Sequence, residues 1–323
     1  MDELSGPRLD RELSERCTLY VHDSREAWLG RRRQYLCGSD AATLLGLNPW
    51  RSELELYADK VGLGKELVPN EAMEWGHLME SPIKSHFTDM TGLSLAGVGN
   101  FDLYVSKDYQ PCRLAASPDD IVYKPGVGFG IFEAKTTSAW KRAEWETGVP
   151  AHYEAQVQHY MMVLGLSYAY VAVLIGGQEF RIEEIERDDY MCAQIREAAE
   201  AFWQRVDNQD PPSPDESKGA KDALARVYPK DSGREVELDA SCVALDERRE
   251  ELSRGITMAN RELKKLQAEK RGIDNALKGH LATAAVGVLE NGVRYTWKTI
   301  QKKGYTIEPG SSRQLRRIKP VNA

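Results

Sequence analysis

The sequence predicts an α/β fold, with a central mixed sheet flanked by helices and a helical arm appended behind it. Three observations carry this. Segments of helical period and segments of strand character follow one another in the order helices, strands, helix, strands, helix between residues 24 and 206. Within that order, residues 114–135 read as two strands joined by a Gly/Pro-rich turn at Pro125–Gly130. The polar, Pro-rich run Asp210-Pro-Pro-Ser-Pro-Asp-Glu-Ser-Lys-Gly then marks a boundary, beyond which the pattern changes.

Residues 1–23 are charged and lack a strong period, so a mobile or loosely docked start is expected. Ser24 is placed to cap a first helix carrying Trp28 and Leu29. Ser39 or Asp40 is expected to cap a short helix through Leu47. Its N-terminal N–H groups, with Arg31, Arg32 and Arg33 just upstream, suit an anion, although a capped helix beside a solvated basic run accounts for the same residues. Asn48-Pro49 breaks the chain, and Ser52–Val61 predicts a helix with Leu54, Tyr57 and Val61 inward. From Asn70 to Met90 a longer helix is expected, with Trp75, Met79, Ile83 and Phe87 as its core stripe and a kink or restart at Pro82.

Strands are expected at 98–106 and 112–116, a short helix at Trp140–Thr147, and a helix opening at Pro150 and ending at Gly165. On that last helix Gln156 and Tyr160 share one face, while Val157, Met161 and Leu164 occupy its neighbour. A buried strand (168–174), a turn at Gly176-Gly177, a second strand (179–185) and an amphipathic helix (188–206) complete the core. Beyond the boundary, Leu252, Ile256, Ala259, Leu263, Leu266, Lys270, Ile273, Leu277 and His280 follow alternating steps of four and three, a coiled-coil seam interrupted by Gly255 and Gly272. That seam is expected to pack on a neighbour or fold as a helical hairpin. Asn291-Gly292 predicts a two-residue hairpin turn between Ala284 and Ile300.

Composition narrows the function. With 41% hydrophobic and 29% charged residues the chain reads as an ordinary globular protein, and no apolar run approaches a membrane span. The N-terminus lacks an apolar signal core, so a cytoplasmic protein is expected. Five cysteines without a Cys-x-x-Cys pair argue against a zinc site, an iron–sulfur cluster or a disulfide framework. The net charge of −7 argues against a protein that coats nucleic acid over its whole surface. Residues 291–323, however, hold eight Lys/Arg against one acid, which leaves the remainder at −14. Arg294, Lys298, Arg316 and Arg317 are candidate DNA contacts in this segment, a solvated basic tail being the equal alternative.

Chemistry concentrates at Asp119, Glu133 and Lys135. Side chains two apart on a strand share a face, so Glu133 and Lys135 project together and Asp119 closes on them from the neighbouring strand. Two carboxylates and an ammonium at one point call for a cation, and hard oxygen ligands suit Mg²⁺ or Mn²⁺. Taken alone, the three residues fit a turn aspartate and a surface Glu-x-Lys pair better. Glu80, beside the stripe of its helix, reads by itself as a solvated glutamate.

Six segments in order tip this balance: Trp28 with Arg32; Gly38-Ser39-Asp40 with Leu45-Gly46; Trp75-Gly76 through Glu80; Ser117-Pro118-Asp119; Glu133-Ala134-Lys135; and Tyr153 through Gln156-Val157-Gln158 with Tyr160-Met161. Each is weak alone, and the set is specific. In it the chain resembles the YqaJ-type viral recombinases and lambda exonuclease of the PD-(D/E)XK nuclease superfamily. With the boundary at Asp210 and the patterns on either side of it, the chain divides into an N-terminal extension at 1–23, a core at 24–208 that the resemblance makes a nuclease, a linker at 209–239 and, at 240–323, a C-terminal helical arm with β-hairpin and basic tail. It implies a metal site of Asp119, Glu133 and the Ala134 backbone carbonyl, with Glu80 reached through water. It assigns the attacking water to Lys135, the scissile phosphate to Gln156 and Tyr160, and a 5′-terminal phosphate to Arg32 and Ser39. The implied activity is Mg²⁺-dependent (Mn²⁺ substituting) 5′-to-3′ resection of linear duplex ends for recombination by strand annealing. The implied partners are a single-strand annealing protein and further copies in a ring-like trimer or tetramer. The alternatives are a structure- or sequence-directed endonuclease of the superfamily and a non-catalytic DNA-end-binding scaffold. One departure stands out: the family usually has Gly where this chain has Asp120, which leaves open whether Asp120 joins the metal shell.

Overall fold

Successive residues of one buried strand enter two different cores, and this alternation sets the geometry of the molecule. A computed structural model describes residues 6–65 and 70–299. The chain forms two compact units, Met1–Pro229 and Lys230–Ala323.

The first unit opens with α1 (Gly6–Arg16) and β1 (Cys17–Tyr20), followed by α2 (Arg25–Arg32), α3 (Gly38–Leu44), α4 (Glu53–Lys60) and α5 (Glu71–Thr91). Then come β2 (Ser94–Leu95), β3 (Leu103–Ser106), β4 (Ala115–Ala116), β5 (Asp120–Lys124) and β6 (Gly128–Thr137). A 3₁₀ segment (Ala139–Trp145), α6 (Ala151–Leu164), β7 (Tyr168–Ile175), β8 (Glu179–Glu186), α7 (Asp189–Asp207) and α8 (Lys218–Val227) complete it. The main sheet has the order β2-β5-β6-β7-β8, and β1-β3-β4 form a second, smaller sheet. In the main sheet only β6 and β7 run parallel, so it is mixed, with helices on both faces.

Ile121 and Ile131 pack in one core with Val157 and Met161 of α6. Their neighbours Val122 and Phe132 pack in another with Ile83 and Phe87 of α5. The α6 side is thus the odd-numbered face at this end of β5 and β6, and the α5 side the even-numbered one. Phe87 and Phe132 touch with ring centroids 4.7 Å apart. Truncating either to Ala removes a fully buried ring, a change of about 3–5 kcal/mol.

Several expectations are corrected here. From Gly6 onward the expected loose start is instead docked: Leu9, Leu13 and Cys17 are buried in the core, and β1 pairs with β3. Tertiary burial supplied what the local sequence lacked. Likewise α8 lies within the expected linker, with Ala220 and Ala223 buried. Residues 114–124 are not one strand, because the chain leaves one sheet after β4 and joins the other at β5. Ser117 marks this crossing, its hydroxyl donating to the Asp102 carbonyl at 2.7 Å. The α5 helix continues through Pro82, and Trp75, expected in its core stripe, is 61% exposed. Pro150 caps α6 rather than occupying its first turn, and Gly165 ends it in the left-handed region at φ 71.

In the second unit α9 (Ser241–Leu281) is a single 41-residue helix in place of the expected helical hairpin, and none of its residues is buried within this chain. It is followed by β9 (Val286–Val288) and β10 (Arg294–Thr296), paired antiparallel. Asn291-Gly292 is not a two-residue turn. The Gly292 N–H donates to the Leu289 carbonyl, and Gly292 takes φ 85 after the turn, as in longer bulged hairpins. Arg294 and Lys298 belong to this unit; Arg316 and Arg317 lie outside the described residues. Among the described residues no helix is long and apolar enough to cross a membrane.

Candidate active site

The pairing of Asp120 with Phe132 sets Asp119 across from Glu133, one step further along the same antiparallel pair. Both therefore face α6. Asp119 caps the ladder by accepting the Ala134 N–H at 2.8 Å on Oδ2. Glu133 is 2% exposed. Its Oε1 accepts from Lys135 Nζ at 2.6 Å and from Gln156 Nε2 at 2.6 Å. Gln156 Oε1 in turn accepts from Lys135 at 3.3 Å, and its amide also reaches the Tyr160 hydroxyl at 3.1 Å. Lys135 Nζ lies 4.8 Å over the Tyr153 ring. The structure thus brings Asp119, Glu133, Lys135, Gln156 and Tyr160 together.

Asp120 points to the other face. Its Oδ1 accepts the backbone N–H groups of Gly97 (2.9 Å), Val98 (3.3 Å) and Ile121 (2.9 Å), and Oδ2 pairs with Lys84 at 3.2 Å. With both oxygens engaged on the α5 side, Asp120 is a structural carboxylate, separated from Asp119 by the strand's alternation. Lys84 also donates to the Asp119 carbonyl at 2.5 Å, tying the two-aspartate step to α5. Glu80, one turn before Lys84, accepts from His77 Nδ1 at 2.9 Å. Burial and the Asp119 charge push the Glu80 carboxyl above its ordinary range, against the pull of His77.

The electrostatics of the centre are unbalanced. Burial, then the Asp119 charge, raises Glu133 to about 7 despite the opposing Lys135. Burial by itself would lower Lys135, but Glu133 and Asp119 outweigh it and hold the ammonium. Tyr160 is pushed well above its ordinary value, by burial first and by Glu133 next, so it is a neutral phenol.

Glu133 Oε2 is buried and has no hydrogen-bond partner. A carboxylate oxygen left so beside a second carboxylate fits a hard divalent cation. Among the described residues no group of three His, Cys, Asp or Glu is close enough to hold an ion unaided. A cation held by Glu133 and Asp119 would need backbone oxygen, water and substrate phosphate to complete its shell, as Mg²⁺ characteristically does.

Arg32 and Ser39 meet at the rim, where Arg32 Nη2 donates to Ser39 Oγ at 3.4 Å and stacks over Trp28 at 4.4 Å. Neither Ser39 nor Asp40 is the cap of α3. Cys37 holds that position, and Asp40 reaches back to accept the Cys37 N–H at 3.1 Å. The N-terminal turn of α3 abuts the centre through Gly38: a Cβ there would lie 2.5 Å from the Tyr160 ring and 2.8 Å from Gln156 Cγ. Beneath the turn lies a charge network that sequence reasoning missed. Buried Lys60 donates to the Tyr35 carbonyl (2.6 Å), the Arg32 carbonyl (3.4 Å) and Asp40 Oδ2 (2.9 Å). Arg51 bridges Asp40 Oδ1 and Asp59, each at 3.0 Å. Lys60 had no sequence signal beyond its place in the last turn of α4. Lys84 had one, its i,i+4 spacing from Glu80.

Residues 27–167 match the model of the YqaJ-like viral recombinase domain. YqaJ of Bacillus subtilis (strain 168) is 31% identical over 283 residues, covering 86% of this chain and 84% of its own length. Protein D345L of African swine fever virus (strain Badajoz 1971 Vero-adapted) is 42% identical over 55 residues, 17% of this chain and 16% of its own. Among solved structures, an alkaline exonuclease (LHK-Exo) from Laribacter hongkongensis is similar at TM-score 0.48 and 23% identity, covering 57% of this chain and 94% of that one.

Proposed function

This chain belongs to the YqaJ-like viral recombinase family, and from that membership we propose that it is a divalent-metal-dependent DNA exonuclease acting on linear duplex ends. The observation that carries the proposal is the buried, unpartnered oxygen of Glu133 beside Asp119 and Lys135. Asp119, Glu133 and the Ala134 carbonyl hold the cation, with Glu80 behind them through water. The cation, Mg²⁺ with Mn²⁺ as substitute, supplies an acidified water and neutralises phosphate charge when bound.

The remaining chemistry belongs to the chain's own groups. Lys135 positions the attacking water and supports the charge that develops on the phosphate. Gln156 fixes Glu133 and Lys135 relative to each other, and Tyr160 fixes Gln156. Arg32 and Ser39, with the α3 N–H groups, hold a 5′-terminal phosphate and so set 5′-to-3′ polarity. Phosphate contacts position the strand without reading bases, so cutting is insensitive to sequence. The core at 24–208 carries the activity. The basic segment with Arg294, Lys298, Arg316 and Arg317 adds phosphate contacts, and the resected strand passes to an annealing protein in the cytoplasm, the nuclease working as a ring of copies. The deciding experiment is digestion of linear duplex carrying 5′-phosphate or 5′-hydroxyl ends, with and without Mg²⁺. Mg²⁺-dependent loss of the phosphorylated substrate from its 5′ ends is expected. Cutting of closed circles would replace the proposal with an endonuclease, and no cutting with any divalent ion would replace it with an end-binding scaffold.

A further inference from the structure

Beside Lys135 a line of rings leads out of the centre to the surface. Tyr153 lies under the Lys135 ammonium and packs on buried Trp145 at 5.7 Å. Its neighbour His152 contacts it at 4.1 Å and meets Trp50 edge-on at 4.8 Å. Trp50 ends the line 60% exposed, with the Lys141 ammonium 5.3 Å over its ring and 3.4 Å from the exposed Glu144 carboxylate, an ion pair that a phosphate would compete for. Burial lowers His152 below the ordinary histidine range, so it packs as a neutral ring and the cations of the line are Lys135 and Lys141.

A tryptophan this exposed is not there to fill the core. Both ends of the line pair an aromatic face with an ammonium, and the inner ammonium contacts Glu133. An aromatic face serves a base and an ammonium serves the adjoining phosphate, the combination by which proteins hold an unpaired nucleotide strand.

We propose that Trp50 is a stacking platform for one unpaired nucleobase of the DNA strand entering the centre, with Lys141 on the adjoining phosphate. The site deepens the nuclease reading and rests on it. The platform grips the strand through base faces, which every base has, so it leaves cutting indifferent to sequence while preferring an unstacked end.

The test is binding of a fluorescent 5′-phosphorylated oligonucleotide, in EDTA so that nothing is cut, to wild type, Trp50→Ala and Trp50→Phe. Each is measured on the normal strand and on strands with one abasic nucleotide stepped through the first few positions. Trp50→Ala is expected to bind about 5- to 150-fold more weakly, the range for one stacked base, while Trp50→Phe retains most of the affinity. One abasic position should reproduce the loss in wild type and add nothing to Trp50→Ala. Equal binding by wild type and Trp50→Ala, or abasic losses identical in both, would overturn the platform. So would a change in oligomer mass without a change in DNA affinity, which would make Trp50 a subunit contact. Absence of Mg²⁺-dependent cutting by wild type is a separate outcome that removes the nuclease reading, because the binding assay contains no metal.

Discussion

Two buried carboxylates, Asp40 and Glu133, have opposite electrostatics. Asp40 uses both oxygens, receiving Arg51, Lys60 and a backbone N–H. Burial alone would raise it, but Lys60 and Arg51 outweigh burial and hold it well below the usual carboxylate range. Glu133 receives one ammonium and one amide on a single oxygen, faces Asp119, and is raised to about 7. Burial is common to both, so the number of cations decides the sign. Surplus negative charge at Glu133 is what the proposed cation would offset, and the balanced network at Asp40 builds the frame that holds the α3 turn.

The contrast breaks first at the centre. Glu133→Gln and Lys135→Ala should each lower cleavage by about 10³-fold or more in a linear-duplex assay. Lys135→Ala should still bind DNA without metal; turnover at wild-type rate would remove Lys135 from the chemistry. In the metal-free protein Glu133→Gln should not lower the melting temperature, since it removes a charge the fold strains against.

At the frame the effect falls on stability. Lys60→Met leaves buried Asp40 with one of its two cation partners and should destabilise by about 3–5 kcal/mol in urea titration. Adding Asp40→Asn should recover part of that, and strict additivity of the two changes would contradict the coupling.

A third buried group sharpens the comparison through pH. His159 is fully buried, and burial lowers it to about 4, with Nε2 2.9 Å from the Ala115 carbonyl oxygen. Its folded pKa lies below the unfolded value, so the unfolded chain binds the proton first. Stability is then complete above about pH 6.5 and falls as pH drops toward 4, by up to about 3 kcal/mol. His159→Gln should flatten that slope, and an unchanged slope would assign acid sensitivity elsewhere.

The smallest expected effect separates two neighbours. Asp120→Asn should cost about 1–3 kcal/mol of stability, because Lys84 loses its charge partner. Asp119→Asn should leave stability near wild type and remove metal-dependent cutting. Matching behaviour of the two variants would mean that both aspartates serve one site.

How much of this was legible follows from what each inference needed. Period-2 alternation placed Glu133 and Lys135 on one face, and the helical repeat placed Gln156 four residues before Tyr160; both are local rules. The assignment of Asp119 and Asp120 to opposite faces needed the strand boundary and its register, which local pattern fixes poorly. Lys60 acts through carbonyls 25 and 28 residues away, a distance no local window spans. Trp75 fitted the helical stripe yet is 61% exposed, because periodicity gives the face of a helix and not whether anything covers it. The α1 segment lacked a pattern and is held by burial of Leu9 and Leu13 in the core.

The most direct test of the central claim is the melting temperature at pH 8 as Mg²⁺ is titrated, for wild type and Glu133→Gln. A ligand that binds only the folded state raises stability with its concentration. The account predicts a rise in wild type that continues with Mg²⁺ concentration and is absent in Glu133→Gln. No rise in wild type, or an equal rise in the variant, would contradict it.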